Sequence, residues 1–321
     1  MSLALLFSPQ GSQSVGMGRD LALAWPSAAA CFADADVGLG WSVSAACWDG
    51  PEAFLNDTRQ TQPCLFTTSL ASLRALEEAF ARRGERLTPA VVAGHSVGEY
   101  AALVAAGVLP FGDALQLVAL RGTLMADAGQ PGGMTAVIGL NRETVASAVV
   151  EAGLSAQLVI ANDNAPGQVV ISGSTAALER ISAPLTRAGA RRVIPLKVSG
   201  PFHSPAMAPV GERLASALSE ATWHDADPPM VSNVTAEPVR DATEIRSLLA
   251  RQVSSPVEWA RSVRRMVADG VDTFLECGPG GALTGMVRRI APEARTLAVS
   301  DAAGVVTTIE ALLGAPVGVP A

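Results

Sequence analysis

The sequence predicts an α/β fold in which a large domain of short buried strands and helices is interrupted by a smaller unit of order βαββαβ. Three observations carry this expectation. Short strand-like segments at Leu3–Phe7, Ala90–Ala93 and Thr273–Glu276 each lead into a glycine-containing turn, the pattern of strands in an α/β core. Residues 131–198 instead read as strand, helix, strand, strand, helix, strand, which is the ferredoxin-like order. Glycine-rich segments mark both ends of that unit, Gly129-Gln130-Pro131-Gly132-Gly133 before it and Ser199-Gly200-Pro201 after it. Residues 1–130 and 199–321 are therefore expected to form one discontinuous domain, and 131–198 an insertion. The chain has 321 residues, 49% apolar and 17% charged, enough for a sizeable core and too apolar for long disorder.

In chain order, Leu3–Phe7 is read as a strand, followed by the polar loop Pro9-Gln10-Gly11-Ser12-Gln13. Leu65–Phe80 has helical spacing of apolar residues. Strand Ala90–Ala93 leads through a turn into helix Glu99–Ala106, closed by Gly107, and Phe111–Met125 is a second amphipathic helix. The insert is read as strand Met134–Leu140, helix Arg142–Ala152, strands Leu158–Ala161 and Gln168–Ser172, helix Thr175–Ala188 and strand Arg192–Val198. Helix Met207–Glu220, a short strand near Met230–Asn233, helices near Glu244–Gln252 and Val257–Asp269, strand Thr273–Glu276 and a last helix after Gly281 complete the large domain. Gly314–Ala321 reads as a frayed tail.

Between strand and helix lies Gly94-His95-Ser96-Val97-Gly98, which fits G-x-S-x-G, the nucleophile elbow. A serine on so tight a turn projects its hydroxyl clear of the backbone. Glycines two positions away let strand and helix pack close, and the helix N-terminus offers N–H groups to developing negative charge. The pattern is short and common, so a glycine-rich turn with an ordinary serine is the competing reading. A nucleophilic serine needs a base, and the chain has three histidines. His95 is adjacent to Ser96 and should point away from it. His224, in Trp-His-Asp-Ala-Asp, reads as a surface residue. His203, in the loop Ser199-Gly200-Pro201-Phe202-His203-Ser204-Pro205, is the favoured partner.

Several spaced motifs now stand in order: Gln10-Gly11-Ser12-Gln13 with Val15-Gly16-Met17-Gly18, Gly94–Tyr100, Arg121, Asn162–Gln168, Phe202-His203-Ser204-Pro205, and Arg251-Gln252 with Pro256-Val257. Together they resemble the malonyl-CoA:acyl-carrier-protein transacylases, whose fold also serves as the acyltransferase domain of polyketide synthases. The resemblance covers almost the whole chain and implies an α/β-hydrolase-like large domain with a ferredoxin-like insert. It implies a ping-pong acyltransferase of fatty-acid synthesis, with malonyl-CoA and acyl carrier protein as partners. By resemblance Ser96 is the acylated nucleophile and His203 its base and acid. The backbone N–H groups of Gln10 and Val97 form the oxyanion hole. Arg121 grips the malonyl carboxylate, Gln252 shapes the site around it, Asn162 touches the acyl or pantetheine arm, and Phe202 disfavours an α-methyl group. The first motif departs from the family, where Pro-Gly often stands in place of Ser8-Pro9.

No metal or other cofactor is expected beyond the carrier's own phosphopantetheine, since the four scattered cysteines include no CxxC. A net charge of −7 argues against nucleic acid. The lack of a signal-peptide pattern or long apolar run argues against a membrane, so a cytoplasmic monomer is expected. Docking of an acidic carrier needs a local basic patch, for which Arg191-Arg192 with Lys197, Arg264-Arg265 and Arg288-Arg289 are candidates. Three alternatives share much of this pattern. One is a stand-alone acyltransferase of a polyketide synthase, and another is a component of a malonate decarboxylase. The third is a serine esterase or thioesterase, whose histidine is oriented by an acid such as Asp113, Asp127 or Asp163.

Overall fold

The computed structural model describes residues 1–129 and 131–314. Strand β1 (Leu3–Phe7) opens the chain, followed by helices α1 (Arg19–Ala24), α2 (Pro26–Leu39), α3 (Val43–Trp48), α4 (Glu52–Leu55) and α5 (Thr58–Ala81). Then come β2 (Val91–Gly94), α6 (Gly98–Ala105) and α7 (Phe111–Ala126). The central segment is β3 (Gly133–Ile138), α8 (Arg142–Glu151), β4 (Leu158–Ala165), β5 (Gln168–Gly173), α9 (Thr175–Arg187) and β6 (Arg192–Pro195). A 3₁₀ turn at Pro205–Met207 leads into α10 (Ala208–Glu220), then β7 (Met230–Val231), β8 (Pro238–Val239), α11 (Ala242–Gln252) and α12 (Trp259–Ala268). The last elements are β9 (Thr273–Cys277), α13 (Ala282–Ile290), β10 (Arg295–Val299) and α14 (Ala302–Leu313).

Two sheets organise these elements. The larger has strand order β10-β9-β1-β2-β7-β8, parallel except for β8. Its central strands β1 and β2 are continuous apolar runs because both faces are covered. Leu3, Leu5 and Phe7 point into the core shared with α2, α5, α7 and α10, while Ala4 and Leu6 point into the one shared with α12 and α13. The smaller sheet is antiparallel, in order β4-β5-β3-β6, the arrangement expected of a ferredoxin-like unit. Val137, Val169 and Ile171 pack beneath α8 and α9 on one face. Met134, Ala161 and Val170, on its other strand positions, join the larger core.

The sequence expectations need correction in six places. Helices α1 to α4 were not anticipated. In α2 the buried positions Ala28, Cys31, Phe32 and Ala35 have helical spacing, but alanines carry half of it and alanine sits equally well on a surface. Helix α5 begins at Thr58 rather than Leu65; its polar first turns are buried, and Asp57 caps it by accepting from the N–H of Arg59. Strand β4 runs on to Ala165 through two register shifts, so the Asn162–Asn164 segment is strand and not loop. Strand β8 is also new, and β6 stops at Pro195 short of the expected Val198. The helix after Gly281 is not the last, because β10 and α14 follow it. Gly314 closes α14 in the left-handed conformation, and residues 315–321 of the expected tail lie outside the described residues.

Candidate active site

Ser96 sits between β2 and α6 with φ of 54°, a left-handed conformation that strains a residue with a side chain. The glycines on either side are there for space. A Cβ on Gly94 would lie 1.9 Å from the carbonyl carbon of Gly98, and one on Gly98 would lie 2.2 Å from the carbonyl oxygen of Phe7. Gly98→Ala must therefore push β1 away from the elbow. Overpacking of this kind costs about 1–3 kcal/mol or more, so we expect a lower unfolding midpoint together with loss of acylation by Ser96. A variant as stable and active as wild type in thermal melts and acylation assays would remove the steric explanation for this glycine.

The Ser96 hydroxyl lies 2.8 Å from Nε2 of His203, which also has a left-handed φ, 55°. Nδ1 of His203 is 3.0 Å from the carbonyl oxygen of Gln252 and 3.1 Å from that of Ser255. Two acceptors there require Nδ1 to carry the proton, which leaves Nε2 free to accept from the serine. Burial, reinforced by the Arg121 guanidinium, pulls His203 down to about 3, so the imidazole is neutral and ready to act as a base. Among the described residues Asp113, Asp127 and Asp163 make no contact with His203, and Asp127 pairs with Arg59 instead. Backbone carbonyls orient this histidine where a hydrolase triad uses an acid.

Arg121, from α7, is 1% exposed. Its Nη2 donates to the Ser96 hydroxyl at 3.1 Å and to Oε1 of Gln252 at 2.9 Å, and Nη1 donates to Oε1 of Gln62 at 2.7 Å. Nε has no acceptor, and no carboxylate forms an ion pair with this guanidinium among the described residues. Burial accordingly lowers its affinity for the proton. A buried cation with spare donors and no carboxylate in direct contact can take an anionic ligand. The nearest acid in the network is Glu99 on α6, joined to Arg121 only through Gln252. Burial pushes Glu99 up to about 7, against the N–H of Asn233, the Gln252 amide and the Arg121 charge, which hold it down.

The other expected residues surround this centre. The N–H groups of Gln10 and Val97 have no acceptor among the described residues, as an oxyanion hole requires. The Gln10 loop is held by Gln13, whose side-chain oxygen accepts from the N–H of Gly11 at 2.7 Å. The Ser8 hydroxyl donates to Glu276 and the Pro279 carbonyl at 3.2 Å, so the unusual Ser8-Pro9 pair is anchored below the site. Gln10, Ser96, Asn162, Lys197, Phe202 and His203 line a cavity of about 310 Å³. A groove of about 490 Å³ beside it shares Met134, Leu196 and Val198 and has Glu179 as its ionisable lining residue. His95 turns away from Ser96 as expected. Its Nε2 meets Oδ1 of Asn164 at 2.8 Å, its ring lies 5.4 Å from that of Trp259, and burial holds it down at about 4. His224 is exposed and takes no part.

Three contributors escaped the sequence reading. Gln62 lies in the polar opening of α5 that masked the helix start. Glu99 stands in the elbow motif with no role assigned to it. Asn233 reads in the sequence only as the end of the short strand near Met230–Asn233, and it lies two residues beyond the observed strand. Its Oδ1 accepts from the N–H of Ser96 at 2.7 Å and its Nδ2 donates to the carbonyl of Gly94 at 2.7 Å, which clamps the elbow from below. Among the described residues no group of three or more His, Cys, Asp or Glu side chains is placed to hold a metal, and no helix is long and apolar enough to cross a membrane.

Known proteins resemble this chain over nearly its whole length. The profile of the acyl transferase domain matches residues 4–309. The chain is 41% identical over 315 residues to the malonyl CoA-acyl carrier protein transacylase of Bacillus subtilis, covering 97% of both chains. It is 40% identical over 309 residues to that of Escherichia coli K12, covering 96% of this chain and 98% of the relative. Its structure superposes on an acyl carrier protein S-malonyltransferase from Vibrio cholerae with a TM-score of 0.89 at 40% identity, over 96% of this chain and all of the other. It also superposes, with a TM-score of 0.91 at 40% identity over 97% of this chain and all of the other, on a malonyl-transacylase solved in complex with a type II PKS acyl-carrier protein. The chain belongs to the malonyl CoA-acyl carrier protein transacylase family of acyl transferases.

Proposed function

We propose that the protein moves the malonyl group from malonyl-CoA to the phosphopantetheine thiol of an acyl carrier protein, through a malonyl ester on Ser96, in fatty-acid synthesis. The observation that carries this reading is Arg121: a buried cation with no carboxylate in direct contact, one nitrogen of which already touches the nucleophile. A malonyl thioester has a carboxylate at the far end of a short acyl group, which supplies the missing charge while its carbonyl carbon faces Ser96. The planar guanidinium can take both carboxylate oxygens.

In the first half-reaction the Ser96 oxygen attacks the thioester carbonyl as its proton passes to Nε2 of His203. The N–H groups of Gln10 and Val97 hold the resulting oxyanion. The carbon–sulfur bond breaks, and CoA leaves as the thiol with the proton returned by His203. In the second, the carrier thiol gives its proton to Nε2 and its sulfur attacks the acyl-serine. The carbon–oxygen bond breaks and Ser96 recovers the proton. This chemistry uses the side chains and N–H groups already named and calls for no metal or redox cofactor. Asn162, whose amide has no protein partner among the described residues, is suited to the acyl or pantetheine arm. Phe202, 3% exposed on the cavity wall, is suited to crowding an α-methyl group.

We take 131–198 as the inserted small domain and the rest as the catalytic one. The carrier docks, on this reading, along the exposed Arg191, Arg192 and Lys197, of which Lys197 lines the cavity. The other basic pairs are less available: Arg265 is paired with Glu237 and Asp269, Arg288 with Thr296 and Arg289 with Gln168. Four unpaired, buried cysteines suit a reducing cytoplasm. The most exposed apolar side chains on helices, Leu23, Val37 and Val150, sit on separate ones, which suits a monomer. A polyketide-synthase carrier is the second reading, because the transacylase solved with such a carrier is as similar as the other relatives. The experiment is to offer malonyl-CoA and each class of holo-carrier and follow the carrier's mass. Malonyl transfer to a carrier supports the reading; hydrolysis of malonyl-CoA with no transfer to either carrier would make the protein a thioesterase.

A further inference from the structure

We propose that Glu99 is a positioning residue that fixes the orientation of the Gln252 amide and, through it, aims Arg121 at the acyl carboxylate. This rests on the transacylase reading above. The amide of Gln252 has two possible orientations, and its neighbours allow one. Its Nε2 donates to the backbone carbonyl of Ser96 at 2.9 Å and to Oε2 of Glu99. Its Oε1 is therefore turned to Nη2 of Arg121, 2.9 Å away. Flipping the amide would set Oε1 against two acceptors and Nε2 against a guanidinium that can only donate.

Ser96 supplies one of those acceptors through its backbone, which cannot leave. Glu99 supplies the other, and as a carboxylate it can only accept. Glu99 and Gln252 are each 1% exposed, so water has no room to substitute. The other carboxylate oxygen, Oε1, accepts from the N–H of Asn233 at 2.6 Å, and Asn233 in turn accepts from the N–H of Ser96. Glu99 thus braces the elbow with one oxygen and the carboxylate-binding arginine with the other. It touches neither the reacting serine oxygen nor the cavity.

Glu99→Gln preserves the shape but adds an N–H₂ group. The Asn233 N–H is a backbone donor, so it keeps the remaining oxygen, and the new N–H₂ then faces Nε2 of Gln252. The conflict is relieved by turning the Gln252 amide, which takes the acceptor from Arg121. The effect should fall on substrates with a carboxylate. Acylation by malonyl-CoA and acetyl-CoA is compared at pH 8, where the carboxylate form of Glu99 prevails, in wild type, Glu99→Gln, Gln252→Ala and the double variant.

The malonyl-to-acetyl ratio of kcat/KM should fall roughly ten- to a hundredfold in Glu99→Gln, the worth of one charge-assisted hydrogen bond. The loss should appear mainly as a raised KM for malonyl-CoA. It should be no larger in the double variant than in Gln252→Ala, because both changes act through one amide. Where Glu99→Gln does not fold, Glu99→Asp enters the same cycle; its shorter carboxylate leaves the Gln252 amide held by the Ser96 carbonyl alone and should lower the ratio in the same direction by a smaller factor. Equal slowing of both thioesters, or a further loss of ratio in the double variant, would assign Glu99 to the fold and overturn the proposal. A wild-type protein that takes no malonyl group at all would overturn the transacylase reading and this one with it, whereas normal malonyl loading with an unchanged ratio in Glu99→Gln overturns this one alone.

Discussion

Arg121→Ala is expected to reverse the protein's preference between thioesters. With the guanidinium gone, the malonyl carboxylate must enter a closed site without a partner. Breaking a buried charge pair costs about 3–5 kcal/mol, on the order of a hundredfold to several-thousandfold in kcat/KM. Acetyl-CoA carries no carboxylate. It loses only the contact between Nη2 and the Ser96 hydroxyl and the order that Gln62 and Gln252 owe to the arginine. Its acylation should fall much less, and the selectivity for malonyl should collapse. The measurement is the malonyl-to-acetyl ratio in wild type and variant. A ratio unchanged by the substitution would make Arg121 a structural residue and place the carboxylate elsewhere.

His203→Ala is expected to slow both half-reactions, by on the order of 10²–10⁴ in rate for removal of a general base. One nitrogen, Nε2, faces Ser96 and serves acylation and transfer alike. Single-turnover acylation and the chase of acyl-enzyme by holo-carrier should therefore both be slow. Normal rates in either step would mean that a different base serves it. The protonation state can be read independently. With its pKa depressed to about 3, His203 is unprotonated at neutral pH and gains its proton only as the pH falls far below the ordinary histidine range. In a proton–carbon NMR titration its ring signals should stay at the neutral position from pH 7 to 5. A titration centred near the ordinary value would show that the ring is not buried as described.

Much of this site was legible because its chemistry demands unusual local sequence. The elbow needs glycines at both Gly94 and Gly98 for steric reasons, so it leaves a pattern around Ser96. His203 could be chosen because few histidines compete with it. Arg121 is one of many helix arginines and became legible only through the resemblance. Gln62, Glu99 and Asn233 did not announce themselves, since an amide or carboxylate that binds buried N–H groups is the same residue type as one facing water. The fold followed the same rule. Strands β1 and β2 are covered on both faces and read as plain apolar runs, whereas the alanine-rich α2 carries no contrast between its faces. The parallel bridge that joins Asn162 to Val257 is a long-range pairing that no local pattern encodes.

The central claim is that the malonyl group rests on Ser96 before it reaches the carrier. Wild-type protein is mixed with malonyl-CoA, quenched in acid, digested and weighed by mass spectrometry, with and without a chase of holo-carrier. The peptide containing Ser96 should gain one malonyl group, lose it during the chase as the carrier gains it, and gain none in Ser96→Ala. A malonyl adduct of undiminished yield in Ser96→Ala, or transfer to the carrier without any acylated Ser96 peptide, would contradict a serine-borne intermediate.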